Sequence, residues 1–540
     1  MKKVYLLFPF LALGLAGVSQ MTIQSGATLY IENGAKVTIQ GDLTSAANIQ
    51  GAGTVLMKGT ALQTINMNGN TIPNLEIDNP ANVTLAGSFA KIGNGLVFTN
   101  GKLLTSSQDL VIGATATISG QNSSRFIWTD GAGQVRKELA GDIVNYEVPV
   151  GFNDKYRPAY ITSTGATYAG ANIGVRSLDA ASANRPPMMA NFLNTTWPVT
   201  KTGITGGTQT IAGQYVEGSD VNGTETALVG YYFNGTDWSS QGHSKDYAAN
   251  RISMALTAAS GELTAMNSFV AVGARAFLQG AYNSATGLMN DGLRVGGNVI
   301  PVNDPYRTAP YNTSFSHVAN TTAEIVSASV FNDQASANDN IVDWVFLELR
   351  NTASPGNTVL QTRSALIQRD GDIVDVDGVS PVTFNSVADG NYTIAVRHRN
   401  HLGLATLPTS PRTFSERKSV AFSTNVADLR NSATALFGSS ILNYAIAAHP
   451  NLGNVNLLWA GNANANANVR YTGLNNDKDY ILLTVLDNNA SSVLTNVYNS
   501  ADINLNKVVR YNGLNNDKDF LYINILESNT VTVRSQALPN

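Results

Sequence analysis

Apolar residues in the first quarter of the chain recur in pairs separated by a single position. The pairs are Leu29/Ile31, Val37/Ile39, Val55/Met57, Ile65/Met67, Leu75/Ile77, Val83/Leu85, Leu96/Phe98 and Leu110/Ile112. A period of two places both members on one face of a strand. The pairs return at roughly 8–14 residues, the spacing of short strands joined by tight turns. Gly34, Gly41, Gly53, Gly59, Gly87, Gly95 and Gly101 fall between them, where corners call for positive φ. Many short strands with one buried face each predict a β-solenoid over 20–123, whose stacked coils share a continuous core.

From Ser124 the strands lengthen and aromatics appear. Arg125–Thr129, Asn145–Val150, Ala159–Thr162, Ala227–Phe233 and Ser268–Val272 predict a β-sandwich over 124–275. Pro301, Pro305 and Pro310 argue against regular strands in 276–330, a loop-rich linker. In 331–445, Asp343–Leu349 reads as a strand covered on both faces, Asp370-Gly371 as a hairpin turn, and Tyr392–His398 as a clean alternation. That strand content predicts an immunoglobulin- or fibronectin-type-III-like sandwich. The expected class is all-β and multidomain.

Composition narrows the function classes. Only 13% of the 540 residues are charged, against the ~25% usual in soluble proteins. A net charge of −4 offers no field for nucleic acid, which is excluded as a partner. Lys2-Lys3, the apolar run Val4–Leu15 and the small residues Gly17 and Ser19 read as a signal peptide over 1–19. No later apolar run approaches the ~20 residues of a membrane-spanning helix. With no cysteine, neither disulfides nor a thiol-linked lipid are possible. The expected location is secreted or on the surface of a Gram-negative bacterium.

The clearest repeat lies in 446–540. Tyr471-Thr-Gly-Leu-Asn-Asn-Asp-Lys-Asp479 returns as Tyr511-Asn-Gly-Leu-Asn-Asn-Asp-Lys-Asp519. Ahead of it stand Asn462, Asn464 and Asn466 in one copy, and Asp502, Asn504 and Asn506 in the other. Behind it come apolar runs of helical spacing, Ile481/Leu482/Val485/Leu486 and Leu521/Ile525/Leu526. Oxygen-bearing side chains at alternate positions before a helix describe a calcium loop, because a hard cation needs several oxygens from one short segment. Gly473 and Gly513 stand where a bidentate carboxylate would close the site, and Asp477 and Asp517 follow four residues later. With so few carboxylates, weak or vestigial calcium loops are expected, with asparagine as a turn former bonding the loop backbone as the alternative.

This pair of loop–helix units resembles the dockerin module, two tandem calcium loop–helix repeats that dock to a cohesin partner. It is more similar to the dockerin-like C-termini of large adhesin- or hemagglutinin-like secreted proteins of Bacteroidetes-type bacteria. Gly461–Asn466 matches their loop with Asn for Asp, Ala467 and Lys507 replace the loop glycine, and Lys478 and Lys518 replace arginine. Arg363-Ser-Ala-Leu, Gln368-Arg-Asp-Gly-Asp372 and Ala395–Gly403 also look like that group. The resemblance implies a surface protein with a C-terminal interaction or attachment module.

The polar residues offer little for catalysis. No His-Glu-x-x-His, phosphate loop, Gly-x-Ser-x-Gly or dinucleotide fingerprint occurs. Glu76 and Asp78 share a strand face and are the candidate pair for a polysaccharide-active enzyme on the solenoid. Asp370, Asp372, Asp375 and Asp377 surround a hairpin, where a solvated turn is expected before a calcium site. Trp197, Trp238, Tyr231 and Tyr232 are candidates for a sugar-stacking platform. His398 and His401 lie beside Arg397 and Arg399, cations that disfavour a metal. The expectation is a non-enzymatic adhesin-like or structural protein that meets an unidentified protein or glycan at the cell surface. The alternatives are a polysaccharide-active enzyme and a calcium-dependent docking subunit of a larger assembly.

Overall fold

A computed structural model describes residues 20–240, 242–352, 358–406, 412–414, 426–430, 445–449, 453–536 and 538. The expected signal peptide over 1–19 lies outside them. The class is all-β, with 44% strand and 8% helix, and the chain contains a β-solenoid of about six turns. Among the described residues no helix is long and apolar enough to cross a membrane.

Two compact units divide the chain. One takes the chain up to Ala183 together with Asn191–Gly235 and Ser240–Met266; the other takes Asn184–Ala190, Thr236–Ser239 and the chain from Asn267 onward.

In the first unit the paired apolar residues stack in parallel register. Val37 lies opposite Val55, Val55 opposite Leu75, and Leu75 opposite Leu96. On the other face Leu43 lies opposite Ile65, and Val83 opposite both Gln63 and Leu103. Both members of the pairs from Val55/Met57 through Leu110/Ile112 are buried in one core. Parallel stacking buries each apolar row against the next coil, so the alternation alone sets the fold here. Gly34, Gly87 and Gly101 do adopt positive φ. Gly41, Gly53, Gly59 and Gly95 do not; at Gly53 a Cβ would strike Ile31 and the Glu32 carbonyl, so close approach is what requires glycine there.

The expected boundary after residue 123 does not separate two cores. Val135–Leu139 pairs in parallel with Leu110–Ile112 on one side and antiparallel with Thr167–Val175 on the other. The solenoid sheet therefore continues through Trp197–Thr205 to Ser260–Met266. A five-stranded antiparallel sheet adds Ile161, Ile211 and Ile252 to the same core. The unit ends at Met266 rather than 275, because Phe269–Arg275 pairs with Val382–Asn385 in the second unit.

The second unit is built on a nine-stranded sheet centred on Ile341–Arg350, all ten residues of which are buried. Val359–Gln368 and Asp372–Val374 pair antiparallel across the Asp370-Gly371 turn. The segment 276–330 is loop-rich, yet it is not a linker. Ile300, Tyr306, Tyr311 and Phe315 belong to the core of this sheet, and Tyr306 packs on Phe346 with centroids 5.5 Å apart. Its backbone adds one two-stranded hairpin, Tyr282–Asn283 paired with Leu288–Met289, and its proline-bearing remainder covers the sheet in loops and short 3-10 turns.

The duplicated C-terminal segment forms a third core within the second unit, where Val469, Ile481, Val509, Leu521 and Ile525 meet. Its short strands cross. Asn468–Arg470 of the first copy pairs with Val533–Ser535 of the second, and Val508–Arg510 pairs with Val493–Thr495 of the first. In each copy an asparagine, Asn476 or Asn516, caps a single helical turn that widens into a six-residue π-helical turn.

Candidate functional site

The two loops repeat each other down to backbone conformation. Ala465 and Leu505, Ala467 and Lys507, and Asn475 and Asn515 all lie in the left-handed region with φ between 55° and 62°. Such residues without glycine cost on the order of 1 kcal/mol each and persist only where surrounding contacts fix them.

Those contacts are largely amide to backbone. In the first loop Asn464 and Asn466 both donate through Nδ2 to the Asn475 carbonyl, at 2.9 and 3.0 Å. Their Oδ1 atoms accept from the amides of Asn466 and Asn468. Asp477 closes the loop, accepting from Ala463 N and Arg470 N, each at 2.9 Å. In the second loop Asp517 accepts from Ile503 N and Arg510 N in the same way, and Asn506 accepts from Val508 N. Asn504 donates weakly to the Asn515 carbonyl at 3.4 Å. Asp502 turns onto its own loop, taking Asn506 N at 3.0 Å and Lys507 N at 2.7 Å.

Two features leave room for a cation. The Oδ1 atoms of Asn462 and Asn504 are buried without a hydrogen-bond partner. Burial also pushes the Asp477 carboxyl up to about 8 and Asp502 to about 6, and raises Asp517 well above the usual range. Backbone amides pull all three the other way, but less strongly. A bound cation would relieve that desolvation. The remaining amide oxygens are committed to the loop, so each loop closes on asparagine–backbone bonds and offers calcium few free donors. Asn462, Asn464, Asn466 and Asp477 would hold it in the first loop, and Asp502, Asn504, Asn506 and Asp517 in the second.

Both loops begin on one residue. Asn400 takes Gly461 N (3.0 Å) and Asn462 N (3.1 Å) on its carbonyl. Its side-chain amide donates to the carbonyls of Ser500 (3.0 Å) and Asp502 (2.8 Å). Beside it Arg399, fully buried, reaches Asp343 at 2.8 Å and the Asn499 carbonyl at 2.7 Å. Tyr498 donates to Asp343 at 2.7 Å. Sequence reading did not assemble this cluster, because Asp343, Asn400 and Tyr498 lie far apart along the chain. The Arg-His-Arg-Asn-His run was its only signal.

The candidate chemical groups elsewhere are structurally engaged. Glu76 bonds Lys36 and Asp78 bonds Lys58, an ion-pair ladder between coils. Trp197, Trp238, Tyr231 and Tyr232 are all within 1% of full burial, so they are core residues and form no sugar-stacking platform. Around the hairpin Asp375 pairs with Arg363, Asp372 with Arg275, and Asp377 caps the turn at Val379 and Ser380. A further trio, Asp304, His317 and Glu324, brings ligand-type atoms within 4.8 Å of one another. Arg307 bridges Asp304 (3.1 Å) and Glu324 (3.0 Å), so both carboxylates already face a cation.

Comparison with protein-family models, with curated proteins and with solved structures gives no match.

Proposed function

We propose that this chain is a secreted, non-enzymatic, adhesin-like protein of a Gram-negative cell surface whose duplicated C-terminal segment engages a protein partner. One observation carries the reading. Leu474 and Leu514, equivalent in the two copies, are 83% and 82% exposed, and Leu483 and Ile523 are 54% and 55% exposed. The copies differ at Asn462/Asp502, Ala467/Lys507 and Thr472/Asn512, yet both keep these apolar side chains in water. Folding gains little from an apolar residue at such a site; a partner that covers it gains its area. Beside Leu474 and Leu483 runs a groove of about 540 Å³, edged by Asn464, Asn466 and Tyr480.

The test uses the full chain immobilised against outer-surface proteins and a glycan array. The Leu474→Asp/Leu514→Asp double variant is expected to lose protein capture while its melting temperature stays unchanged. Capture unaffected by the double variant would remove the reading, as would binding confined to glycans. So would polysaccharide turnover lost in Glu76→Gln or Asp78→Asn.

A second reading, calcium-dependent docking, is favoured by the unpartnered Asn462 and Asn504 oxygens. It requires that a chelator abolish capture.

A further inference from the structure

We propose that His398 and His401 form an acid-sensitive latch that holds the duplicated segment against the sheet of its own unit through Asn400. The proposal stands whether or not the loops take a cation.

Hydrogen-bond directions fix the protonation of both rings. Gly280 N can only donate, and it lies 3.0 Å from His401 Nε2, so that nitrogen carries a lone pair. Neutral His401 therefore bears its proton on Nδ1. Asn400 spends its Nδ2 hydrogens on the Ser500 and Asp502 carbonyls, which turns its Oδ1 toward His401 Nδ1 at 2.8 Å. His401 Nδ1 also lies 2.9 Å from His398 Nδ1. Since His401 supplies the hydrogen, His398 Nδ1 must be the acceptor, and its proton sits on Nε2, 2.9 Å from Asp343 Oδ2. The single His401 Nδ1 hydrogen is then shared between Asn400 Oδ1 and His398 Nδ1, which also accepts from Asn400 N at 3.5 Å, and both rings are neutral.

A second proton has no place in this chain. On His398 Nδ1 it would oppose the His401 Nδ1 hydrogen. On His401 Nε2 it would oppose Gly280 N–H. Either ring must turn to accept it, and turning His401 removes the bond that orients the Asn400 amide. The charged groups acting on the pair are Asp343 from the central strand and Arg399 from the adjoining turn; Tyr306 and Tyr311 from the covering segment, and Tyr498 and Asp502 from the duplicated segment, act in turn on Asp343 and Arg399. The Asp343 charge is already matched by Arg399 at 2.8 Å.

Burial holds His401 well below the usual imidazole range, with His398 and Arg399 adding to it. Burial lowers His398 too, against the pull of Asp343. A depressed imidazole pKa contributes stability that is fully present above the unfolded value of about 6.5 and is lost as pH falls through the folded values.

Hydrogen exchange on the full chain, with chelator present, reads the latch at about pH 7.5 and about pH 5. After correction for intrinsic rates, protection of Gly280, Gly461 and Asn462 amides is expected to fall at least about tenfold at the lower pH. Sheet amides in 363–368 are expected to hold. His401→Gln, which cannot titrate, is expected to lose the acid response. Unchanged protection in the wild type, or the same acid response in His401→Gln, overturns the proposal. Nitrogen-15 histidine spectra of the wild type give a check that does not depend on the variant folding. The expected result is a His401 proton on Nδ1 with no titration near about pH 6.5, and ordinary titration there overturns the latch.

Discussion

The side-chain amide of Asn400 donates to the carbonyl of Asp502 at 2.8 Å, so the residue that leads into one strand of the sheet also fixes the first position of the second loop. The carbonyl of Asn400 does the same for the first loop through Asn462 N. The duplicated segment is thus fastened at both of its starting points to a single, fully buried residue.

Asn400→Ala removes two donated bonds and one accepted bond inside the protein. At about 1 kcal/mol net per bond, the loss should be about 3 kcal/mol. Urea unfolding followed by tryptophan fluorescence checks this, and a loss below about 1 kcal/mol would show that the amide is not what fastens the segment.

The buried carboxyls give calcium a pH-dependent effect. A folded pKa raised above the unfolded value means that the stability from Asp477 and Asp502 is fully present below about 3.9. It is lost as pH rises through about 6 for Asp502 and about 8 for Asp477. Ligands must be deprotonated to bind metal, so calcium should stabilise more at about pH 8.5 than at about pH 6. With the weak affinity of extracellular calcium modules, about 1 mM calcium should contribute about 0.4–1.4 kcal/mol per loop at the higher pH. Thermal melts at both pH values read the difference; equal shifts at both would contradict it.

In the solenoid, Leu75 is 1% exposed between Val55 and Leu96. Leu75→Ala should cost about 2–5 kcal/mol through lost burial and the cavity left behind. Gly101→Ala should also destabilise, since φ is 76° there and a Cβ would strike the Asn79 carbonyl. Circular dichroism melts of the two variants measure both effects, and a neutral Gly101→Ala would show that the corner relaxes.

Much of this fold was legible because its signals are local. The pairs from Leu29/Ile31 onward need only a two-residue period and a repeating turn to specify stacked coils. The duplication at Tyr471 and Tyr511 announces itself by identity. Domain limits were less legible, because the longer strands after Ser124 look like the start of a new sandwich while Val135–Leu139 among them extends the solenoid sheet. Trp197 and Trp238 could not be assigned to surface or interior, since an aromatic in a strand carries no mark of which face is covered. The Asp343–His398–His401 chain was hidden for a related reason: its members converge only after the sheet forms, and Gly280 enters through a backbone amide that no side-chain pattern reveals.

The exchange of strands between the copies also dictates an order of events during synthesis. Asn468 finds its partner in Ser535, 67 positions downstream, so the earlier half of the duplication stays open while the later half is being made. The segment closes as a clasp rather than as two beads, and a ribosome that stalls between the halves releases a chain whose finished half has nothing to close against.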